Sequence, residues 1–108
     1  MASPRWVQLR DAMADSNLPA SDKAVFRYLL DKADYSTAHL PVRFTPAQGE
    51  VARKTGVTER QVRRAERHLE HHGWLEVGDA KTTGPGKRRS VALRFGTRCD
   101  CKGRVHER

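Results

Sequence analysis

The chain lacks the features that mark membrane-spanning, secreted and catalytic proteins. No apolar run approaches the roughly 20 residues that a membrane-spanning helix needs, and the N-terminal residues lack the apolar segment of a signal peptide. Two cysteines do not form a secreted disulfide framework. Paired pocket carboxylates, a glycine-rich phosphate loop and a nucleophile elbow are also missing from the pattern. We therefore expect a cytoplasmic protein that is not an enzyme and has neither a cofactor nor a small-molecule ligand.

Cysteine and histidine near the C-terminus come closest to a metal-binding motif. Cys99 and Cys101 are separated by one residue, and His106 follows. A structural zinc site needs four ligands, and the spacing here does not supply them. We expect no metal site, and we interpret residues 96–108 as a basic, flexible tail with reduced thiols.

Positive charge is the dominant property of the chain. The formal net charge is +8, and arginine (15) outnumbers lysine (6). Residues 1–44 hold 6 basic and 5 acidic side chains, whereas residues 45–108 hold 15 and 8. Because the excess lies in the second part of the chain, we expect the surface that meets a polyanion to lie there as well.

The segment 45–73 predicts two short helices joined by a tight turn. Thr45 with Gln48, and Thr58 with Gln61, have the spacing of capping boxes, in which side chains satisfy the free N–H groups of a helix start. We expect both helices to begin in this way. The predicted helices span residues 46–54 and 59–72.

Two helices that cross at a steep angle need a small residue at the crossing and a glycine in the turn. Ala52 and Gly56 meet both needs, four residues apart. Gly73 supplies a left-handed end to the second helix. The whole unit, rather than one residue pair, therefore predicts a helix-turn-helix.

A projection of the second helix at about 100° per residue separates its apolar and basic sides. Relative to Val62, Ala65 and Leu69 fall near about 300° and 340° and should face the core. The opposite side carries Arg60, Arg64, Arg67 and His71. We name Arg60, Arg64 and Arg67 the arginine ridge.

Two explanations fit this basic side. It is either a solvated surface with ion pairs, for which Glu59–Arg63, Glu66 and Glu70 offer partners, or a surface that contacts nucleic acid. We favour nucleic acid because the outward ridge itself contains no acid.

The rest of the chain predicts an α+β fold. Helices are expected at residues 4–15 and 22–33, and strands at 74–77 and 90–95, with short strand character around 42–44. The last two strands should form a two-stranded hairpin that Trp74 and Phe95 anchor to the helices.

These residues resemble winged helix-turn-helix DNA-binding domains, especially the modules of bacterial plasmid and phage regulatory and replication proteins. The resemblance covers about residues 18–95. It is specific at Val51, Ala52, Gly56, Val57, Val62, Leu69, Gly73, Trp74 and Leu75. It implies that residues 58–72 form a recognition helix in the major groove and that residues 79–89 are the wing, on the backbone or in the minor groove. Residues 1–17 lie outside the pattern and are expected to be a packing or dimerisation helix.

The expected DNA-contacting residues follow from the helical projection and from the resemblance to winged helix-turn-helix domains. The helix ends, the turn, the recognition helix and the wing contribute Thr45, Lys54, Thr55, Thr58, Glu59, Arg60, Gln61, Arg63, Arg64, Arg67, Lys81, Lys87, Arg88 and Arg89. Arginine can donate two hydrogen bonds to guanine. Gln61 either reads adenine or caps its helix, and Glu59 either reads cytosine or interacts with the helix N-terminus.

The expected function is sequence-specific binding of double-stranded DNA, in transcriptional regulation or in replication or partition control. A protein-interaction adaptor is the alternative, because residues 4–15 carry an apolar stripe of Trp6, Leu9 and Met13. A homodimer and a monomer both fit the sequence, and a dimer would predict an inverted repeat in its target.

Overall fold

A computed structural model describes residues 4–41, 45–79 and 89–98 of the chain. Within these ranges the protein has an α+β fold, and each predicted helix is present within two residues of its expected bounds. The elements are α1 (Arg5–Asp15), α2 (Ala20–Lys32), β1 (His39–Leu40), α3 (Gln48–Thr55), α4 (Glu59–His71), β2 (Leu75–Asp79) and β3 (Arg89–Leu93). No helix in the described ranges has both the length and the apolar character to cross a bilayer.

The sheet has three strands in the described residues, not the two of the predicted hairpin. Its order is β1-β3-β2, and both pairings are antiparallel. Leu75 lies opposite Leu93 and Val77 opposite Val91 in the expected hairpin. The extra strand is β1, where His39 lies opposite Ala92. The predicted strand character at 42–44 lies outside the described residues.

One hydrophobic core joins the helices to the inner side of the sheet. Phe26 and Leu29 of α2, Val51 of α3 and Leu69 of α4 are fully buried, as is Val91 of β3. Residues at a spacing of three or four along each helix therefore reach the same interior, as the helical period requires. This core holds α4 in place against α2 and α3.

Helix α1 packs against α2 of the same chain. Leu9 and Met13 are buried, and the indole N–H of Trp6 donates to the carbonyl oxygen of Leu30 at 3.0 Å. The Trp6 ring also stacks on Tyr35, with ring centroids 5.7 Å apart. The apolar stripe of this helix is thus covered by the chain itself.

The two aromatic residues expected to anchor the hairpin behave differently. Trp74 is 4% exposed and meets the edge of Phe26 in a T-shaped contact, and its indole N–H donates to the carbonyl oxygen of Thr97 at 3.0 Å. Phe95 is 47% exposed, with the Arg5 guanidinium 5.5 Å from its ring centroid. The prediction for Phe95 as a buried anchor is wrong, because half of its surface is open to solvent beyond the end of β3.

Candidate nucleic-acid interface

The start of α4 is fixed by its own side chains. Thr58 Oγ1 accepts from the backbone N–H of Gln61 at 3.1 Å, and Gln61 Oε1 accepts from the backbone N–H of Thr58 at 2.8 Å. This is the predicted capping box. The preceding Gly56 ends α3 with φ of 80°, a left-handed conformation that favours glycine. Helix α4 therefore leaves the turn at a defined angle and with a defined first residue.

The capping box predicted for α3 is wrong. Helix α3 begins at Gln48 after Ala47, without a side-chain cap. The Thr45 hydroxyl instead donates to the carbonyl oxygens of Leu40 and Pro41, at 3.1 and 2.9 Å. Thr45 therefore bonds to the end of β1, and its hydroxyl proton is committed within the protein.

The inner side of α4 is the one that the projection predicted. Val62 and Leu69 are fully buried, and Ala65 is 1% exposed. Because these three residues lie on one stripe of the helix, the opposite side turns away from the core. That opposite side is where the arginine ridge lies.

The arginine ridge is largely open to solvent. Arg60 and Arg67 are exposed, and Arg64 is half-buried. No ion pair to any of the three occurs within the described ranges. Arg64 borders a cleft of about 140 Å³ whose other wall includes Ser21 and Asp22, at the first turn of α2. The ridge thus presents three guanidinium groups that can bind an anionic partner.

Some of the remaining polar residues near the turn are exposed to solvent, and others are hydrogen-bonded or ion-paired within the protein. Lys54 is exposed at the C-terminal end of α3. The Thr55 hydroxyl donates to the Val51 carbonyl oxygen at 2.6 Å. Arg63 and Glu59 form an ion pair at 3.4 Å with both side chains about half exposed. Such a pair contributes little to stability, and it places Arg63 at the flank of the helix beside Glu59.

Arg89 does not lie on a free basic loop, which corrects its prediction as a wing contact. It is the first residue of β3, and its side chain is 13% exposed. Its guanidinium donates to both carboxylate oxygens of Glu66, at 3.0 and 2.7 Å, and to the Pro46 carbonyl oxygen at 2.9 Å. Gln48 adds a bond to Glu66 at 3.3 Å. Arg89 therefore joins the sheet to α4 and to the segment before α3.

Glu66 was a candidate partner for the arginines of α4 only in the alternative explanation, a solvated surface with ion pairs. It is 4% exposed and pairs with Arg89 instead. The helical projection contained the signal, because Glu66 lies only about 40° from Val62 and so belongs to the inner side. A buried carboxylate requires a partner, and Arg89 supplies it.

A second buried polar pair, His68 and Asp22, was not predicted from the sequence. His68 Nδ1 donates to the carboxylate of Asp22, and both side chains are almost fully buried. The His68 ring meets His72 edge-on, with centroids 4.7 Å apart. Asp22 lies in the first turn of α2, so this pair fastens α2 to α4. The two residues are 46 positions apart, and no local pattern relates them.

Several predicted residues lie outside the described ranges. These are the wing residues Lys81, Lys87 and Arg88, and the tail residues Cys99 and Cys101. In the part of the chain that the structure does describe, no group of three or more His, Cys, Asp or Glu side chains is placed to hold a metal ion.

The described interface therefore consists of a capped helix, an outward ridge of three arginines, and flanking Lys54 and Arg63. Comparisons with protein families, curated proteins and solved structures found no match to this chain. The function of this surface must follow from the chemistry of its own side chains.

Proposed function

We propose that this chain is a sequence-specific double-stranded DNA-binding protein of the winged helix-turn-helix class. In this proposal α4 enters the major groove, and the basic segment 81–88 meets the backbone or the minor groove. The protein acts in the cytoplasm, in transcriptional regulation or in replication or partition control, and catalyses no reaction.

The arginine ridge carries the proposal. Three cationic side chains project from one rigid helix, and the described residues place no carboxylate in ion-pair contact with them. A surface that served only for solubility would gain from interspersed acids, since both signs are normally mixed on such surfaces. A major groove is wide enough to admit an α-helix, and its walls are lined with phosphates. The ridge fits that environment in both shape and charge.

The surroundings of the ridge support phosphate contacts. Lys54 and Arg53 lie in the last turn of α3, where they are exposed beside the turn that precedes α4. Cations at such helix ends commonly bind the DNA backbone and set the register of the recognition helix. For the segment 81–88, the proposal is based on the sequence alone, through Lys81, Lys87 and Arg88.

The adaptor alternative has less support. It depended on an apolar stripe of the N-terminal helix that would be open to a partner. Leu9 is fully buried and Met13 is 3% exposed, because α2 covers them. A partner protein would therefore have to use a different surface.

The test begins with selection of bound fragments from random double-stranded DNA. The affinity for the selected duplex is then measured by fluorescence anisotropy over a range of salt concentrations. Each phosphate contact should contribute about −0.9 to the slope of log K against log salt. The double variant R64A/R67A should bind more weakly by about 5- to 150-fold for each arginine that contacts a base.

A matched control is R94A/R98A, which removes the same charge from two exposed residues after β3. It should change the affinity far less, while circular dichroism shows both double variants to be folded. Equal losses in the two variants would indicate nonspecific charge attraction. A folded parent protein that enriches no fragment and shows no salt-dependent binding would overturn the proposal.

A further inference from the structure

The three arginines of the ridge offer hydrogen-bonding groups of one kind, and the exposed His71 on the same side lies one turn beyond Arg67. From Thr58 to Arg67, the ridge offers guanidinium N–H groups, which only donate. Thr58 uses its hydroxyl oxygen to accept from the Gln61 backbone N–H, and Glu66 is buried. The two other side chains in this stretch with acceptors are Gln61 and Glu59, which would allow α4 to read adenine or cytosine. The kind of base that the helix selects depends on where those acceptors point.

Gln61 has its acceptor engaged. Its Oε1 accepts from the Thr58 backbone N–H at 2.8 Å, so the amide oxygen is turned back toward the start of the helix. Bidentate recognition of adenine requires the oxygen and the nitrogen of one amide to face the same base edge. In the capping geometry the oxygen points toward Thr58, so Gln61 does not present its amide oxygen and nitrogen together to a base edge.

Glu59 also directs its carboxylate away from the ridge. Its Oε1 lies 3.4 Å from the Arg63 guanidinium. Its Oε2 lies beside α3, where a Cβ added to Gly49 would be 3.5 Å away. The carboxylate therefore sits between α3 and the flank of α4, and the other exposed acid, Glu70, projects on that same flank at about 80° from Val62.

A donor-only surface discriminates between the four base edges. In the major groove guanine presents two neighbouring acceptors, O6 and N7, whereas adenine and thymine each present one and cytosine presents a donor. A guanidinium that donates two parallel hydrogen bonds is satisfied fully only by guanine.

Resting on the proposed function, we propose that the arginine ridge selects guanines and that the target carries them within a short window. With a rise of about 1.5 Å per residue, Arg64 and Arg67 lie about 6 and 10.5 Å along the helix from Arg60. At about 3.4 Å per base step, these distances correspond to roughly two and three steps. The contacted guanines therefore fall within about four consecutive base pairs.

The experiment uses the full chain and the duplex selected from random DNA, with single guanines replaced by analogues. 7-Deazaguanine removes the N7 acceptor from the major groove. Inosine is the matched control, because it keeps O6 and N7 and loses only the amino group that faces the minor groove. At contacted positions 7-deazaguanine should weaken binding, and replacement by adenine should cost about 5- to 150-fold. Inosine should change the affinity less than about 2-fold, since the major-groove acceptors remain.

The ridge variants R60A, R64A and R67A assign each contact. In each variant, 7-deazaguanine should no longer weaken binding at one position and should still weaken it at the others. In R94A it should weaken binding at every contacted position. A selected site without guanines in its central base pairs, or one that tolerates 7-deazaguanine throughout, would overturn guanine selection while leaving DNA binding intact. If no duplex were enriched, both the proposed function and guanine selection would be contradicted.

Discussion

The buried pair of Glu66 and Arg89 gives the sharpest prediction about stability. Arg89→Met removes the guanidinium and keeps most of the apolar length of the side chain. It leaves the Glu66 carboxylate, whose side chain is 5% exposed, with only the Gln48 amide as a partner among the bonds described. Removing one partner of a buried ion pair typically costs about 3–5 kcal/mol. We expect a loss of that size in the free energy of unfolding, out of about 5–15 kcal/mol for a typical domain.

The reverse single variant and the double variant separate the contributions. Glu66→Met should cost less than Arg89→Met, because Arg89 keeps its bond to the Pro46 carbonyl oxygen and is 13% exposed. In the double variant E66M/R89M no charge is left buried without a partner. The Pro46 carbonyl still loses its donor, which costs about 1–3 kcal/mol. We therefore expect the double variant to be more stable than R89M alone.

Urea unfolding followed by circular dichroism measures these differences through linear extrapolation. Arg63→Met is the matched control, since it breaks an exposed pair with Glu59 and should cost no more than about 0.5 kcal/mol. If R89M costs about the same as R63M, Glu66 does not require its partner. A double variant that lost as much stability as the two single variants combined would show that Glu66 and Arg89 have no coupling energy.

Three other predictions concern local features. Thr58→Ala removes the capping box and should lower the free energy of unfolding by about 1 kcal/mol, whereas Thr58→Ser should restore most of it; equal urea midpoints for the two variants would contradict this. Gly96→Ala should destabilise the protein by about 1–3 kcal/mol in a thermal melt, because the added Cβ would overlap the Trp74 ring; an unchanged melting temperature would contradict it. Burial and the Glu50 carboxylate raise the pKa of Tyr28 above 10.0, so Tyr28 ionises at lower pH in the unfolded chain than in the folded protein. The contribution of Tyr28 to the free energy of unfolding should therefore be complete below about pH 10 and decline above it. Tyr28→Phe should remove that decline when urea unfolding is measured across pH.

The helices and the apolar side of α4 were predictable because both follow from local periodicity. Val62, Ala65 and Leu69 recur at helical spacing, and each is buried. This signal needs no knowledge of distant residues, since any partner surface must meet the same stripe. The start of α4 at Glu59 follows from the cap at Thr58, and its observed end at His71 is one residue before the predicted one.

The two predicted capping boxes show that a local sequence motif is not always sufficient to predict a helix start. The same spacing occurs at Thr45 and at Thr58, yet only Thr58 caps a helix. A cap requires the chain before the helix to approach in an extended conformation. At Thr45 the carbonyl oxygens of Leu40, the last residue of β1, and of Pro41 compete for the hydroxyl. That competition depends on the pairing of β1 with β3, which lies about 50 residues further along the chain.

The buried polar pairs define a further limit, and they also bear on the proposed site. Glu66 and His68 lie on a strongly charged helix, and their partners Arg89 and Asp22 are 23 and 46 residues away. Each pair joins α4 to a different element, one to the sheet and one to α2. With the cap at Thr58, α4 is therefore fixed at its start and through two separate side contacts. A bidentate contact with a base edge depends on placement within a fraction of an ångström to be productive. We therefore expect loss of either buried pair to reduce discrimination between DNA sequences more than it reduces general attraction to DNA, since charge survives small rotations of the helix and base contacts do not.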